Sequence, residues 1–256
     1  FPLITFPYVS RILLPEGTGR VSFATSVVSY FLMLSQLGIP TYGIRACAKV
    51  RDDRRKLSRV VHELMAINLV MSLLSYLALG IFVFAIPRLR AQSSLIFIIS
   101  LTILLNAVGM EWLYKALEQY TYITIRSVIF KAIAVVAMLL LIRQQSDYVV
   151  YGALTILAAS ASNVCNFVHA HTYIDLFPEE KYNYRQHMKP ILVFFAMSCS
   201  TVIYTNLDTV MLGLMKSNVD VGYYNAAVKI KGILVGIVTS LGTVMLPRLS
   251  YYVERG

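Results

Sequence analysis

Residues 64–86, "LMAINLVMSLLSYLALGIFVFAI", form a long apolar run that contains no ionisable side chain. At about 1.5 Å per residue, a helix of this length crosses a hydrocarbon core of about 30 Å. The composition of the whole chain agrees with this reading, because 57% of its residues are hydrophobic and only 14% are charged. A typical soluble domain is about a quarter charged. The chain is therefore predicted to be an integral membrane protein.

Comparable apolar runs recur along the chain and predict an all-α, polytopic helix bundle of about eight membrane helices. The chain begins without a methionine and ends soon after an apolar run, so we expect a fragment whose first helix is truncated. The further runs cover residues 1–14, 27–44, 93–110, 127–142, 148–168, 190–215 and 221–246.

Lys and Arg are distributed unequally between alternate connections of these helices. Fourteen of them lie in the connections near residues 45–59, 115–126, 181–189 and 248–255, and five lie in the intervening ones. Basic residues concentrate on the cytoplasmic side of membrane proteins. The richer set is therefore predicted to face the cytoplasm, and the net charge of +10 is attributed to topology and to anionic phospholipids, not to nucleic acid.

The sequence contains no recognisable catalytic or metal-binding pattern. It has no phosphate-binding glycine loop, no HExxH and no nucleophile elbow, and its three cysteines show no paired spacing. A multispanning protein without such a constellation is usually a transporter. We therefore expect no enzyme activity, no metal and no cofactor apart from a proton or a sodium ion used for coupling.

Two segments resemble each other and indicate an internal repeat. "GRVSFATSVVSYFLMLSQLGIP" (19–40) and "GYYNAAVKIKGILVGIVTSLGTVMLP" (222–247) both open on a glycine and close on an apolar residue followed by proline. Both are predicted to descend from the outer face, as parallel repeats require. The expected domains are an N-terminal lobe of about six helices, residues 1–188, and the first two helices of a second lobe, residues 189–256.

Several ordered segments resemble the Wzx-type oligosaccharide flippases, which are polysaccharide biosynthesis transporters of the multidrug/oligosaccharidyl-lipid/polysaccharide exporter superfamily. The resemblance covers the whole chain and implies a MATE-like fold with two lobes. The segments that carry it are "FPLITFPYVSRILLPEGTGRVSFATSVVSYF" (1–31), "LGIPTYGIR" (37–45), "WLYKALEQYTYITIRSVIFK" (112–131) and "NLDTVMLG…VGYYNAAVKIK…LGTVMLPRLSYY" (206–252).

The resemblance also implies a function, which is to move undecaprenyl-pyrophosphate-linked repeat units across the bacterial cytoplasmic membrane. These units would supply O-antigen, capsule or exopolysaccharide assembly. The implied partners are the lipid-linked oligosaccharide and the polymerase and chain-length regulator of the same pathway. A multidrug or cation antiporter of the same superfamily is the first alternative, and a membrane-embedded glycan polymerase is the second.

An anionic pyrophosphate crossing hydrocarbon requires cations inside the membrane, and the sequence offers several. Arg can hold a phosphate through two parallel hydrogen bonds, whereas Lys acts as a point charge. Snorkelling to the interface is the simpler interpretation for some of them. The candidate cavity residues are Arg11 first and Lys229 second, then Arg45 and Lys231, with Asn206 and Asn225 as amides that contact sugars or link helices.

Carboxylates within the predicted spans are the candidates for ion coupling. By helix rise, Asp208 and Lys229 lie at similar depth on neighbouring antiparallel helices, so they could form a static ion pair, or Asp208 could exchange an ion or a partner during transport. Glu111 and Glu63 lie near the cytoplasmic ends of consecutive spans and could approach each other. Ordinary exposure of two helix ends is the simpler interpretation for this second pair.

Overall fold

The computed structural model describes residues 2–175 and 182–253, with side chains described at 5–175 and 182–236. Phe1, Lys181, Arg255 and the side chains of the second repeat copy beyond Gly236 lie outside this part of the chain. All regular structure within the described ranges is helical. The helices are α1 (Pro2–Gln36), α2 (Ile39–Ala48), α3 (Arg54–Ala85), α4 (Pro87–Arg90), α5 (Ser93–Gly109), α6 (Glu111–Ala116), α7 (Tyr120–Leu141), α8 (Tyr148–Ile156), α9 (Asn163–His169), α10 (Arg185–Met215) and α11 (Asn218–Val253), with a π-helical turn at Leu157–Ala161 between α8 and α9.

The prediction of an all-α polytopic membrane protein is confirmed. Five helical stretches are long and apolar enough to cross a membrane, and they cover residues 5–48, 54–85, 120–141, 145–172 and 185–215. The shorter apolar helix α5 and the helix α11 add two more segments. The exposed face of α3 carries Leu73, Leu77 and Ile81, which is the pattern of a helix that faces lipid.

The first of these stretches contains a sharp bend at Leu14, whose φ and ψ angles are 57° and 177°. The segment before the bend packs along α11. The carbonyl of Pro15 lies against Gly222 at the start of α11, whereas Phe6 lies beside Lys229, two turns further along that helix. In chain order, the segment before Leu14 therefore runs towards the turn between α10 and α11, antiparallel to α11.

The segment of α1 after the bend packs along α10 and runs antiparallel to it, away from the turn between α10 and α11. Phe23 lies against Gly213 near the end of α10, and Gly38, just beyond α1, lies against Phe194 near its beginning. The two halves of α1 therefore form a helical hairpin, as the separate predictions for residues 1–14 and 27–44 require. With this hairpin counted as two, the described part of the chain holds the eight segments that were predicted.

Leu14 adopts a backbone conformation that is favourable only for glycine, and such strain costs about 1–3 kcal/mol. We predict that Leu14→Gly raises the free energy of unfolding by about 1 kcal/mol, because Leu14 is half exposed and loses little packing. Thermal unfolding of the protein in detergent would measure the change. Leu140→Gly is the matched control, since Leu140 is similarly exposed inside regular α7 and its loss should destabilise by about 1 kcal/mol. Equal destabilisation by both substitutions would contradict the strain at Leu14.

Three of the connections that are rich in Lys and Arg have their described residues at one end of the bundle, called here the basic end (37–53, 110–119, 170–175 and 182–184). Arg54 donates to Asp175 at 2.8 Å, and Arg51 pairs with Glu118 at 2.9 Å. The connections that are poor in Lys and Arg, at 14–19, 86–92, 142–147 and 216–217, gather at the opposite end. There Arg88 donates to the carbonyls of Gly213 and Lys216, each at 3.0 Å. The described members of the two sets therefore lie at opposite ends, as the topology prediction requires.

Several helices extend beyond the predicted apolar runs: α3 begins at Arg54, ten residues before its run, and α7 begins at Tyr120, seven residues before its run. Two further differences concern α2 and α10. The predicted run 27–44 is interrupted at Gly38, which has a positive φ of 74°, and α2 begins directly after it. Helix α10 begins at Arg185, five residues before the predicted start at Pro190. The earlier start places a polar first turn on the helix, where a loop had been expected.

The two repeat copies meet through their opening glycines. A Cβ on Gly19 would collide with the carbonyl oxygen of Asn218, and a Cβ on Gly222 would collide with the carbonyl oxygen of Pro15. Asn218 lies four residues before Gly222, and Pro15 lies four residues before Gly19. The contact is therefore reciprocal, as expected where two equivalent segments cross about a local two-fold axis. We call it the glycine crossing.

Candidate functional site

A polar cavity of about 830 Å³ lies between α1, α8, α10 and α11, and we call it the cationic cavity. It brings together five of the eight residues selected from the sequence: Asp208, Asn206, Lys229, Lys231 and Asn225. Its lining from α1 and α8 is mostly hydroxyl-bearing and small. The remaining polar lining residues are Ser22, Thr25, Ser26, Tyr151, Thr155, Tyr204, Thr205, Thr209 and Tyr224.

Lys229 is the best-positioned cation of this cavity. Its side chain is half-buried, and its Nζ lies 4.6 Å from the centre of the Phe6 ring. A cation over an aromatic face is attracted to the ring without losing its charge. Lys231 also lines the cavity but is exposed. The two ammonium groups and the single carboxylate leave the lining with a net positive charge.

Asp208 does not form the ion pair with Lys229 that the helix geometry allowed. Its carboxylate accepts a hydrogen bond of 2.7 Å from the hydroxyl of Tyr224, on the facing turn of α11. The link between α10 and α11 at this depth is therefore a hydrogen bond from a phenol. Lys229 remains available on the same cavity wall, because its contact with Phe6 uses no hydrogen-bonding capacity.

The two asparagines do not link helices. The Asn206 side-chain amide donates to the carbonyl of Val202 at 3.1 Å, and that of Asn225 donates to the carbonyl of Val221 at 3.1 Å. Each bond stays within its own helix, and both residues line the cavity.

The three other candidates lie elsewhere. Arg11 is exposed and is absent from the cavity lining; within the described residues it forms no hydrogen bond or ion pair. Arg45 is at the basic end, with its guanidinium carbon 5.6 Å from the centre of the Phe194 ring. Glu111 pairs with Lys115 at 2.7 Å, and Arg126 approaches it at 3.8 Å.

Sequence reasoning missed a buried ionic cluster at the basic end, and the expectation that Glu63 is an exposed helix end is wrong. The Glu63 side chain is completely buried, and it does not pair with Glu111. Its carboxylate instead meets His187 of α10, with 2.6 Å between Oε2 and Nε2, and Arg59 at 3.0 Å. The Arg59–Glu63 spacing of four residues was a visible signal, but the partner on α10 was hidden by the expected loop.

A second, smaller cavity of about 390 Å³ adjoins this cluster. Its lining includes Tyr42 and Arg45 of α2, Lys49 directly after α2, and Gln186 and His187 of α10. No group of three His, Cys, Asp or Glu side chains among the described residues is arranged to hold a metal ion.

Comparison with known proteins agrees with the membrane architecture. The chain is similar to the putative O-antigen transporter of Escherichia coli K12, with 21% identity over 97% of this chain and 60% of that protein. It is also similar to the putative O-antigen transporter of Shigella dysenteriae, with 26% identity over 98% of this chain and 63% of that protein. The chain thus spans about three fifths of the length of these relatives. No solved structure matches it. The family model described as polysaccharide biosynthesis protein matches residues 1–253, so the chain belongs to the polysaccharide biosynthesis protein family.

Proposed function

We propose that the protein is a flippase that moves undecaprenyl-pyrophosphate-linked oligosaccharide repeat units across the bacterial cytoplasmic membrane for surface polysaccharide assembly. The observation that carries the proposal is the cationic cavity, in which Lys229 and Lys231 stand among hydroxyl and amide side chains at membrane depth. The names of the two relatives, putative O-antigen transporters, support the same class of substrate.

The cavity would lower the main energetic cost of moving this substrate, which is the loss of solvation of its pyrophosphate. A pyrophosphate that leaves water for hydrocarbon without a partner loses solvation worth several kcal/mol or more. Fixed ammonium groups offset part of that loss through charge-assisted hydrogen bonds. The hydroxyl and amide groups can bond the sugars, while the polyprenyl chain remains in the lipid.

In this proposal the substrate enters from the basic end, which faces the cytoplasm, and leaves at the opposite end. Two lobes, residues 1–188 and a second one that begins with α10, rock about the cavity and expose it to one side at a time. Polymerase and chain-length regulator of the same pathway would receive the product. A lining with two ammonium groups and one carboxylate would repel a cationic substrate, which disfavours a cation antiporter. A polymerase would require a catalytic constellation.

The test is complementation of a strain that lacks its own repeat-unit flippase, using the complete gene of this protein. Restored surface polysaccharide, seen as a ladder on gels, is the expected result. An absence of rescue in several glycan backgrounds, with the protein present in the membrane fraction, would reject the proposal.

Asp208 is the proposed ion-coupling residue of the cationic cavity. We predict that Asp208→Asn lowers gradient-driven flipping in vesicles at least about 10-fold and abolishes its dependence on a proton or sodium gradient, because an amide cannot exchange a cation. Tyr224→Phe is the control, since it removes the hydrogen bond but keeps the carboxylate and should retain gradient dependence. If Asp208→Asn keeps its full dependence on the gradient, Asp208 is not the coupling residue.

A further inference from the structure

Two cations without an acidic partner, Arg45 and Lys49, stand in the smaller cavity at the basic end. They lie four residues apart on one side of the end of α2, and both line this cavity. Neither side chain forms a hydrogen bond or an ion pair within the described part of the chain. Two like charges at this spacing repel each other, and the C-terminal end of α2 offsets only part of that repulsion. An anion bound between the two side chains would remove it.

The contacts of Arg45 position its guanidinium and leave its donors available. The guanidinium carbon lies 5.6 Å from the centre of the Phe194 ring. This contact with an aromatic face involves no acceptor oxygen, so the N–H fork remains free to bind a phosphate through two parallel hydrogen bonds. The ammonium of Lys49 adds a second positive charge on the same wall.

The carboxylate of the adjacent buried cluster does not compensate these two cations. Glu63 is completely buried and meets Arg59 at 3.0 Å, the ring of His187 at 2.6 Å and the amide of Gln186 at 2.9 Å. Its lone pairs are therefore occupied by other groups. Among the described residues, no carboxylate lines the smaller cavity. The wall that α2 presents to this cavity is thus positively charged.

A third cavity connects the smaller cavity with the cationic cavity. It has a volume of about 490 Å³ and is called here the middle cavity. It shares Phe194 with the smaller cavity and Asn206 with the cationic cavity. By helix rise, these two residues of α10 are about 18 Å apart. The three cavities therefore lie in series along α10 and form a track from the basic end to Lys229.

The walls of this track carry polar side chains from two facing helices. Within each helix they recur at intervals of three, four or seven residues, which keeps them on one side. The polar residues are Ser22, Thr25, Ser29 and Gln36 of α1 and Ser198, Thr201, Thr205 and Asp208 of α10. A helix side that meets only lipid does not carry such groups, because hydrocarbon offers them no hydrogen-bonding partner. The track is therefore suited to a hydrated, polar ligand.

We propose that Arg45 and Lys49 form an entry site for a diphosphate group, and that the polar track leads from this site to Lys229 in the cationic cavity. The guanidinium binds two oxygens of the diphosphate, and the ammonium neutralises part of its remaining charge. The anion site stands on the two unpaired cations and their cavity, whereas its use as the first step of transport rests on the flippase function proposed above.

Isothermal titration calorimetry with inorganic pyrophosphate tests the entry site in the complete protein, purified in nonionic detergent. Every protein in this assay carries Lys229→Gln and Lys231→Gln, so that the cationic cavity contributes little to the measured binding. Adding Arg45→Gln and Lys49→Gln together should weaken the affinity for pyrophosphate at least about 10-fold, because hydrogen bonds to a charged group are lost. Both side chains are exposed, so the Tm should not change.

Arg55→Gln is the matched control, because Arg55 is an exposed cation near the basic end that is absent from the cavity lining. It should leave the affinity for pyrophosphate unchanged. The proposal is overturned if the double substitution at Arg45 and Lys49 has no effect on this affinity, or if Arg55→Gln lowers it equally.

Dimethyl phosphate distinguishes a diphosphate from the headgroup of a phospholipid as the ligand of this site. It carries a single negative charge, as the phosphodiester of an anionic phospholipid does. We expect it to bind at least about 10-fold more weakly than pyrophosphate, since it offers fewer charged oxygens to the two cations. Equal affinities for the two probes would assign Arg45 and Lys49 to phospholipid and overturn the entry site.

Flipping in vesicles relates the site to transport, in a protein that retains Lys229 and Lys231. The double substitution at Arg45 and Lys49 should raise the substrate concentration for half-maximal flipping about 10-fold and leave the maximal rate nearly unchanged, because it removes binding that precedes translocation. A lower maximal rate at an unchanged half-maximal concentration would reject the entry role. Pyrophosphate binding at this site with failed complementation would reject the flippase function and leave the anion site standing. Rescue with an unchanged pyrophosphate affinity in the double variant would reject only the entry site.

Discussion

Replacing Lys229 by glutamate is expected to abolish the appearance of surface polysaccharide in the complementation assay. The substitution changes the charge balance of the cationic cavity from net positive to net negative, with Asp208 on the same wall. Loss of one partner from a desolvated charge pair costs about 2–5 kcal/mol, so we expect transport to fall by about 100-fold or more. Quantitative blotting of the surface glycan at equal levels of membrane protein would measure this loss.

Two variants make the result specific. Lys229→Arg retains the positive charge and should keep a substantial part of the activity. Arg11→Glu makes the same change of charge on an exposed residue outside the cavity lining. If Arg11→Glu reduces transport as strongly as Lys229→Glu, the pyrophosphate path does not follow this cavity. If Lys229→Glu retains transport, the proposed cation contact is wrong.

A methyl group at the glycine crossing is expected to cause the largest loss of stability. In Gly222→Ala the new Cβ would collide with the backbone carbonyl of Pro15, which cannot move as a flexible side chain can. Overpacking of this kind costs about 1–3 kcal/mol, and the rigidity of both helices favours the upper part of that range. Thermal unfolding in detergent would register a lower Tm and a smaller fraction of monodisperse protein.

Gly232→Ala is the matched control, because it lies on the same helix and a Cβ there meets nothing within 4 Å. Alanine is the better helix former by about 1 kcal/mol, so this variant should be as stable as the parent or more stable. An equal loss of Tm in both variants would mean that helix α11 tolerates no change at all, and the crossing would then have no special role.

The sequence predicted those features that depend on local composition. Uninterrupted apolar runs identify the membrane helices, because hydrocarbon excludes ionisable groups wherever they lack a partner. Helix rise placed Asp208 and Lys229 at similar depth, and both do line one cavity. Rise alone does not give the rotation of α10 relative to α11. The hydrogen bond from Tyr224 could therefore not be foreseen.

The cluster at Glu63 was missed because it depends on where α10 begins. The helix was expected to start at Pro190, because the apolar run begins there and the residues before it are mostly polar. The helix nevertheless begins at Arg185, so that Pro190 stands in its second turn and His187 is carried onto Glu63. The burial of Glu63 is thus a tertiary effect, set by a partner more than a hundred residues away.

The position of the glycine crossing determines how far a small rotation would reach. The crossing lies at the opposite end, and α10 extends for 31 residues from there towards the basic end. At about 1.5 Å per residue, α10 is about 45 Å long. A tilt of about 10° about the crossing would therefore displace its end at the basic end by about 8 Å. If the proposed rocking of the lobes takes place about this crossing, a small rotation at one face of the membrane would separate the helix ends at the other face by about this distance.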